Sequence, residues 1–250
     1  MATIKARRRG KDAIRALRDA APRVLRADGH GRGALVAFGA LGALDLLATS
    51  RAHTARGAAR AAKPLLMPAL AAHAARRGAP RTLVAGLGCA AAGDTALLFD
   101  RREPAFLAGM AAFLGTQLSY TAGMARELGA VRGLRARPRA ALGCLAAWGA
   151  ANAVLAPGLE RKMRLPVAGY SLALAAMGAA AFGTGGKVGA GAAAFLGSDA
   201  LIGIQAVGRR FPGQETLIMA GYLAGQYLIT TGWLERREPE QERAGEGRAA

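Results

Sequence analysis

Three acidic residues, Asp45, Asp94 and Asp199, lie deep within stretches otherwise built from Ala, Leu and Gly. A carboxylate at membrane depth costs at least about 2.5–3.5 kcal/mol on insertion scales, so it should face the interior of a bundle and is a functional candidate by default. For Asp45, near the end of its apolar stretch, a structural carboxylate paired with an Arg or with backbone donors is an equally good reading. Asp94 and Asp199 read as functional, because an internal duplication puts them at matching positions. Brought to similar depth in a low dielectric, two carboxyls can divide their roles, one holding a proton while the other stays ionised. Such a pair acts as general acid and general base, or as a proton relay.

Other polar groups gather in the same stretches. Gln117 and Gln226 match under the duplication, and Tyr120, Tyr170, Tyr222 and Asn152 lie within apolar segments. Each could orient a polar headgroup or a water. Each could equally be glue between helices, and Tyr at the end of a span is commonly an interface anchor. As a set around two aspartates they suggest a wet cavity. Lys63, followed by Pro64, could meet a phosphate or a carboxylate, with snorkelling to the interface as the alternative. Several motifs fail. His30, His53 and His73 have no metal-ligand spacing, and Cys89 and Cys144 read as small apolar residues in helices, so no metal or cofactor is expected. The run Gly183 to Val188 lacks the first Gly and the hydroxyl residue of a phosphate loop. Gly169-Tyr170-Ser171-Leu172-Ala173 is a defective nucleophile elbow without a strand context.

The elements that must position these groups follow from composition. Of 250 residues 52% are hydrophobic and only 5% aromatic, with 35 Gly, and the 34 Lys/Arg and 16 Asp/Glu cluster in short runs between long apolar segments. That is the pattern of helices that enter lipid and loops that do not. A soluble domain, a disordered chain, a collagen and a disulfide-stapled scaffold are excluded. The net charge of +18 sits beside apolar spans, where Lys and Arg hold loops on the cytoplasmic side and touch anionic headgroups; with no aromatic-rich basic stretch, nucleic acid is set aside. The expected fold is all-α, a polytopic bundle of about eight transmembrane helices at 33–49, 58–75, 82–99, 104–124, 140–157, 166–183, 188–208 and 214–234. The second span is the weakest, interrupted by Arg60 and Lys63. Residues 1–32 read as a solvated basic arm, with a surface-lying helix as the alternative, and 235–250 as a disordered charged tail.

The duplication rests on Met110 to Gln117 recurring as Met219 to Gln226, Gly93-Asp94 as Ser198-Asp199, and Lys63-Pro64 as Leu165-Pro166, with offsets of 109, 105 and 102. It implies a tandem four-plus-four arrangement, halves about 33–124 and 140–234, related by a pseudo-twofold axis along the membrane normal. Gly221 and Gly225 form a literal GxxxG, a spacing that lets helix backbones approach. Under this topology 23 Lys/Arg fall on the side of the termini and 11 on the other, which places both termini in the cytoplasm of a multi-pass protein of the cell (inner) membrane.

Read together, these residues resemble the YhhN-type family, the lysoplasmalogenases. The resemblance is carried by Lys63-Pro64-Leu65-Leu66-Met67-Pro68, Gly93-Asp94 with Leu97-Leu98, and the Phe106-to-Tyr120 segment. It continues in Leu165-Pro166-Val167 with Tyr170 and Met177, Gly191 to Phe195 with Ser198-Asp199, and Tyr222 with Gln226. Two departures stand out: Gln117, where the family is expected to carry His, and the long basic arm. The resemblance implies an eight-helix enzyme that hydrolyses the vinyl ether of a lysophospholipid, releasing a fatty aldehyde and a glycerophospho-alcohol. Vinyl ethers resist base and open when acid protonates the β-carbon, so one protonated carboxyl, one carboxylate and no metal suffice. Inverting glycosidases use a comparable pair, with carboxyls about 6.5–9.5 Å apart to admit water. Two rivals stay open: a proton-coupled transporter or lipid carrier that uses the same aspartates as a relay, and a non-catalytic lipid-binding protein. Membrane lipids are the expected partners, and the oligomeric state is open.

Overall fold

The computed structural model describes residues 31–50, 56–99 and 102–249, and the basic arm, but for its last two residues, lies outside them. Among the described residues there is no strand. Long helices run at α1 (Arg32–Ser50), α2 (Arg56–Arg76), α3 (Arg81–Ala96) and α4 (Glu103–Glu127). A short α5 (Ala130–Ala136) leads to α6 (Pro138–Leu155), α7 (Arg161–Thr184), α8 (Gly186–Ala206) and α9 (Gln214–Ala249). All eight expected spans fall on long helices; α5 was not expected, because its Ala-Val-Arg-Gly-Leu-Arg-Ala is too short and too charged to read as a span. Single 3₁₀ turns at Leu97–Phe99 and Ala156–Gly158 extend α3 and α6.

Five of these helices, α1, α3, α6, α7 and α8, are long and apolar enough to cross a membrane, which is fewer than the eight expected. The other three, α2, α4 and α9, carry Lys63 and His73, Gln117 and Tyr120, and Tyr222, Gln226 and Thr230. Polar residues turned toward the interior lower a helix's overall apolarity without wetting its outer face. Val36, Leu142, Leu145, Val154 and Leu165 stand exposed, and α6 buries only Cys144. Apolar side chains outside and polar ones inside invert the soluble pattern and suit lipid as the solvent.

Helices α1 to α4 pack in chain order, each on the next, and so do α6 to α9. The two groups close on each other where α4 meets α7, and where α9 meets α1 and α2. Glycine makes the tightest contacts. A Cβ on Gly225 would lie 2.9 Å from the Gly191 carbonyl oxygen, and one on Gly221 3.1 Å from that of Ala194, so the GxxxG pair of α9 seats directly on α8. In the first group Thr116 Oγ1 donates to the Gly86 carbonyl at 3.0 Å, and a Cβ on Gly123 would meet Thr82 at 2.6 Å. Those two contacts recur in the second group as Gly225 on Gly191 and Gly232 on Lys187, at the offsets of 105 and 109 already seen in the sequence.

The helical backbone of α9 continues to Ala249, through the stretch for which composition suggested a disordered tail. That stretch is rich in Glu and Arg, which favour helix once a packed helix precedes them and nucleation is already met. Connections are short, and Gly78, Gly129 and Gly208 turn the chain with φ of +69°, +67° and +84°, a region that favours glycine.

Candidate functional site

Asp94 sits in the last turn of α3, 4% exposed, and its Oδ2 accepts a 2.7 Å hydrogen bond from the Tyr222 hydroxyl of α9. Asp199 on α8 is half-buried, and its Oδ2 accepts an equal bond, also 2.7 Å, from the Tyr170 hydroxyl of α7. Each carboxyl is thus met by a tyrosine from another helix. For Asp94 that tyrosine comes from the opposite group of helices, 128 residues away in sequence.

Between the two aspartates runs a string of polar side chains. Gln117 of α4 lies beside the Tyr170 hydroxyl, outside hydrogen-bond geometry, and one turn on along α4 the Tyr120 hydroxyl donates to Gln226 Oε1 at 2.7 Å. Gln226 in turn lies beside the Tyr222 hydroxyl. Beyond Asp94, the charges of Lys63 on α2 and Asp45 on α1 are near enough to act on it, and Lys63 acts on Asp45 as well. The order is therefore Asp199, Tyr170, Gln117, Tyr120, Gln226, Tyr222, Asp94, Lys63, Asp45.

Several members of this string, and Thr230 one turn beyond Gln226 on α9, are buried without protein partners. Both oxygens of Asp45, both amide atoms of Gln117, Gln226 Nε2 and Thr230 Oγ1 lie out of contact with solvent and form no hydrogen bond. Asp45 is 1% exposed and both glutamines 0%. Buried polar atoms are almost always satisfied, and a cluster that is not marks a place for water or a polar ligand. Aromatic rings wall it: Phe113 and Phe195 meet Tyr222 edge-on with centroids 5.9 and 5.7 Å away, and Tyr120 meets Trp233 at 6.1 Å.

Of the sequence candidates, Asn152 stands apart. Its amide donates to the Trp148 carbonyl at 2.9 Å and to Ser171 Oγ at 3.1 Å, which ties α6 to α7. Lys63 is half-buried, and its charge acts on both Asp45 and Asp94. Asp45, one of the more ambiguous residues in the sequence, is fully enclosed and has no donor from Arg or backbone. Thr230 went unremarked in the sequence, although a signal was there: Gln117-x-x-x-Thr121-x-Gly123 recurs as Gln226-x-x-x-Thr230-x-Gly232, which extends the repeat by six residues. Among the described residues no group of three or more His, Cys, Asp or Glu is placed to hold a metal ion.

Residues 58–233, which include every helix from which the string is built except α1, match the YhhN family. The chain belongs to the YhhN family. Lysoplasmalogenase TMEM86B of Homo sapiens is 32% identical over 165 residues, a match covering 66% of this chain and 69% of the relative. No solved structure matches. The family match takes in Asp94 and Asp199 and leaves out Asp45 and the basic arm.

Proposed function

We propose that this YhhN-family protein is a lysoplasmalogenase-like hydrolase that cleaves the vinyl ether of a lysophospholipid by carboxyl acid–base chemistry at Asp94 and Asp199. Membership of the family and the likeness to a lysoplasmalogenase support the hydrolase class. The observation that carries the site assignment is the string of polar side chains between two tyrosine-bound carboxyls, in which the buried amides of Gln117 and Gln226 keep unpartnered atoms.

In this reading one carboxyl, protonated, delivers its proton to the β-carbon of the vinyl ether, and the α-carbon becomes an oxocarbenium ion. The other carboxyl, ionised, takes a proton from a water, through the hydroxyls of the intervening string, as that water adds to the α-carbon. The resulting hemiacetal breaks its C–O bond to the glycerol oxygen, which takes up a proton equivalent to the one the hemiacetal hydroxyl releases and leaves as an alcohol, while the former α-carbon becomes the aldehyde carbonyl. Protons balance, since the one delivered to carbon is replaced by the one taken from water. Tyr170 and Tyr222 hold the carboxyls in place, and Gln117, Gln226 and Thr230 offer sites for the water. Asp199 and Tyr170 are the more exposed end, from which an elongated lipid reaches the site.

The eight-helix, four-plus-four membrane topology belongs to the same proposal. It is supported by the identical neighbour order in the two groups and by the glycine contacts that recur at constant offsets. It is supported too by Phe113 and Tyr222, residues matched under the repeat, which touch each other as residues beside a twofold axis do.

Purified protein in detergent, given a lysoplasmalogen, should release fatty aldehyde with no membrane gradient. General acid–base groups contribute about 10²–10⁴-fold, so Asp94→Asn and Asp199→Asn should each lower turnover by about that much. Near-normal turnover in both folded variants sinks the mechanism; transport that requires sealed vesicles, without aldehyde, would favour the carrier.

A further inference from the structure

A cavity of the opposite chemical character lies away from the carboxyl string. At the end of the bundle that carries Gly31 and the α4–α5 connection, a space of about 520 Å³ is lined by Arg126, Arg132, Arg135 and Arg237, with Glu127 and Gly129. The arginines come from three elements, α4, α5 and α9. Gly129, with its φ of +67°, makes the sharp turn that brings α5 back beside the end of α4.

The single carboxylate there is engaged elsewhere. Glu127 Oε1 accepts from Thr82 Oγ1 at 2.7 Å and Oε2 from Trp233 Nε1 at 3.3 Å, both of which belong to neighbouring long helices. Among the described residues no carboxylate lies within ion-pair range of the four arginines. Arg236, next to Arg237, shows the contrast: it donates to the Thr184 carbonyl at 2.8 Å. The negative end of a helix dipole accounts for Arg126 and Arg135, which stand in the last turns of α4 and α5. It does not account for four guanidiniums around one concavity, whose mutual repulsion an anion would relieve. Planar guanidinium forks match the oxygens of phosphate, and basic pockets at the end of a helical bundle suit lipid headgroups.

We propose that this cavity binds a phosphate group, and that its occupant ties α5, the connector between the two groups of helices, to α4 and α9. The group belongs either to an anionic phospholipid headgroup or to free phosphate, and the test separates them. Full-length protein is placed in phosphatidylcholine nanodiscs, then in nanodiscs with about one fifth phosphatidylglycerol, and separately in phosphatidylcholine nanodiscs with inorganic phosphate. Binding is read by lipid retention in native mass spectrometry and by the midpoint of thermal unfolding. A gain with phosphatidylglycerol alone identifies the headgroup; a gain with inorganic phosphate in the neutral discs identifies the free ion. The doubly substituted Arg132→Gln, Arg135→Gln protein should bind about tenfold or more weakly, since each bidentate contact is worth at least that factor. Both residues are exposed, so its unfolding midpoint in neutral discs without phosphate should match that of the unsubstituted protein. Arg209→Gln with Arg210→Gln, the same loss of charge at the other end of the bundle, should bind normally. No gain from either probe, an undiminished gain in the α5 variant, or an equal loss in the Arg209/Arg210 control would each overturn the proposal.

Discussion

At the scale of single residues, the two aspartates differ in their surroundings more than their matched sequence positions suggest. Asp94 shares its electrostatic neighbourhood with Lys63 and Asp45, whereas Asp199 meets Tyr170 in a more open setting. Lys63 is the cation that offsets two buried carboxylates, and removing one member of such a group leaves uncompensated charge. Lys63→Met should therefore lower the unfolding midpoint by several degrees, and Asp45→Asn added to it should restore part of the loss; a double-mutant cycle on thermal unfolding reads the coupling. Tyr222→Phe deletes the 2.7 Å bond to Asp94 while leaving the ring contacts with Phe113 and Phe195. A hydrogen bond to a charged group is worth about 1.5–3 kcal/mol, so turnover should fall by about tenfold to a hundredfold, with the unfolding midpoint lowered by a few degrees. Activity equal to that of the unsubstituted protein would remove Tyr222 from the site. The residue types of the site were legible in the sequence, but their order was not, because Tyr222 reaches Asp94 across 128 residues of chain.

Helices here are held by what glycine leaves out. In lipid the hydrophobic effect no longer drives helices together, so close backbone approach and packing must do so. Gly191 and Gly225 face each other with no room for a methyl group: a Cβ on Gly191 would stand 2.8 Å from the Gly225 carbonyl oxygen. Gly225→Leu should cost about 1–3 kcal/mol or more through overpacking, seen as a lower unfolding midpoint in detergent. By contrast Gly143 and Gly149 on α6 have nothing within 4 Å of an added Cβ, so Gly143→Ala should be neutral or raise stability by up to about 1 kcal/mol from helix propensity. Equal effects at Gly225 and Gly143 would show that packing at the α8–α9 seam is not what holds it. The GxxxG of α9 was readable as a pattern, yet the partner it needed, Gly191 on α8, was one small residue among many. Only the contact distinguishes Gly191 from Gly197, which meets nothing.

For the molecule as a whole, the arrangement of charge at its two ends is the feature most open to direct test. Ala79 lies at the end that carries Gly31, and Arg209 at the other, between α8 and α9. With the native cysteines replaced, Arg209→Cys should react with a membrane-impermeant maleimide applied outside intact cells, while Ala79→Cys should react only after permeabilisation. The reverse labelling would invert the topology expected from the Lys/Arg bias. The two groups of helices meet through α4 with α7 and through α9 with α1 and α2, and the polar string passes through that same junction. A site built from both groups depends on their docking, so substitutions at the seam should affect activity as well as stability.

Periodicity, charge clustering and composition were enough to mark the eight long helices, though not α5 or the full length of α9, because a bilayer demands long apolar runs whose limits are set by charge. Short matched motifs paired Asp94 with Asp199 and Gln117 with Gln226, and Asp45 and the tyrosines stood out as polar residues within apolar runs. What only the tertiary structure decided is which of these meet. Asn152 fastens α6 to α7, Asp45 is enclosed with Lys63 and Asp94, and Thr230 joins the unpartnered interior atoms. Low-complexity helices of Ala and Gly leave their rotation about the axis almost unmarked in sequence; it is settled when backbones press together at the few places where no side chain intervenes.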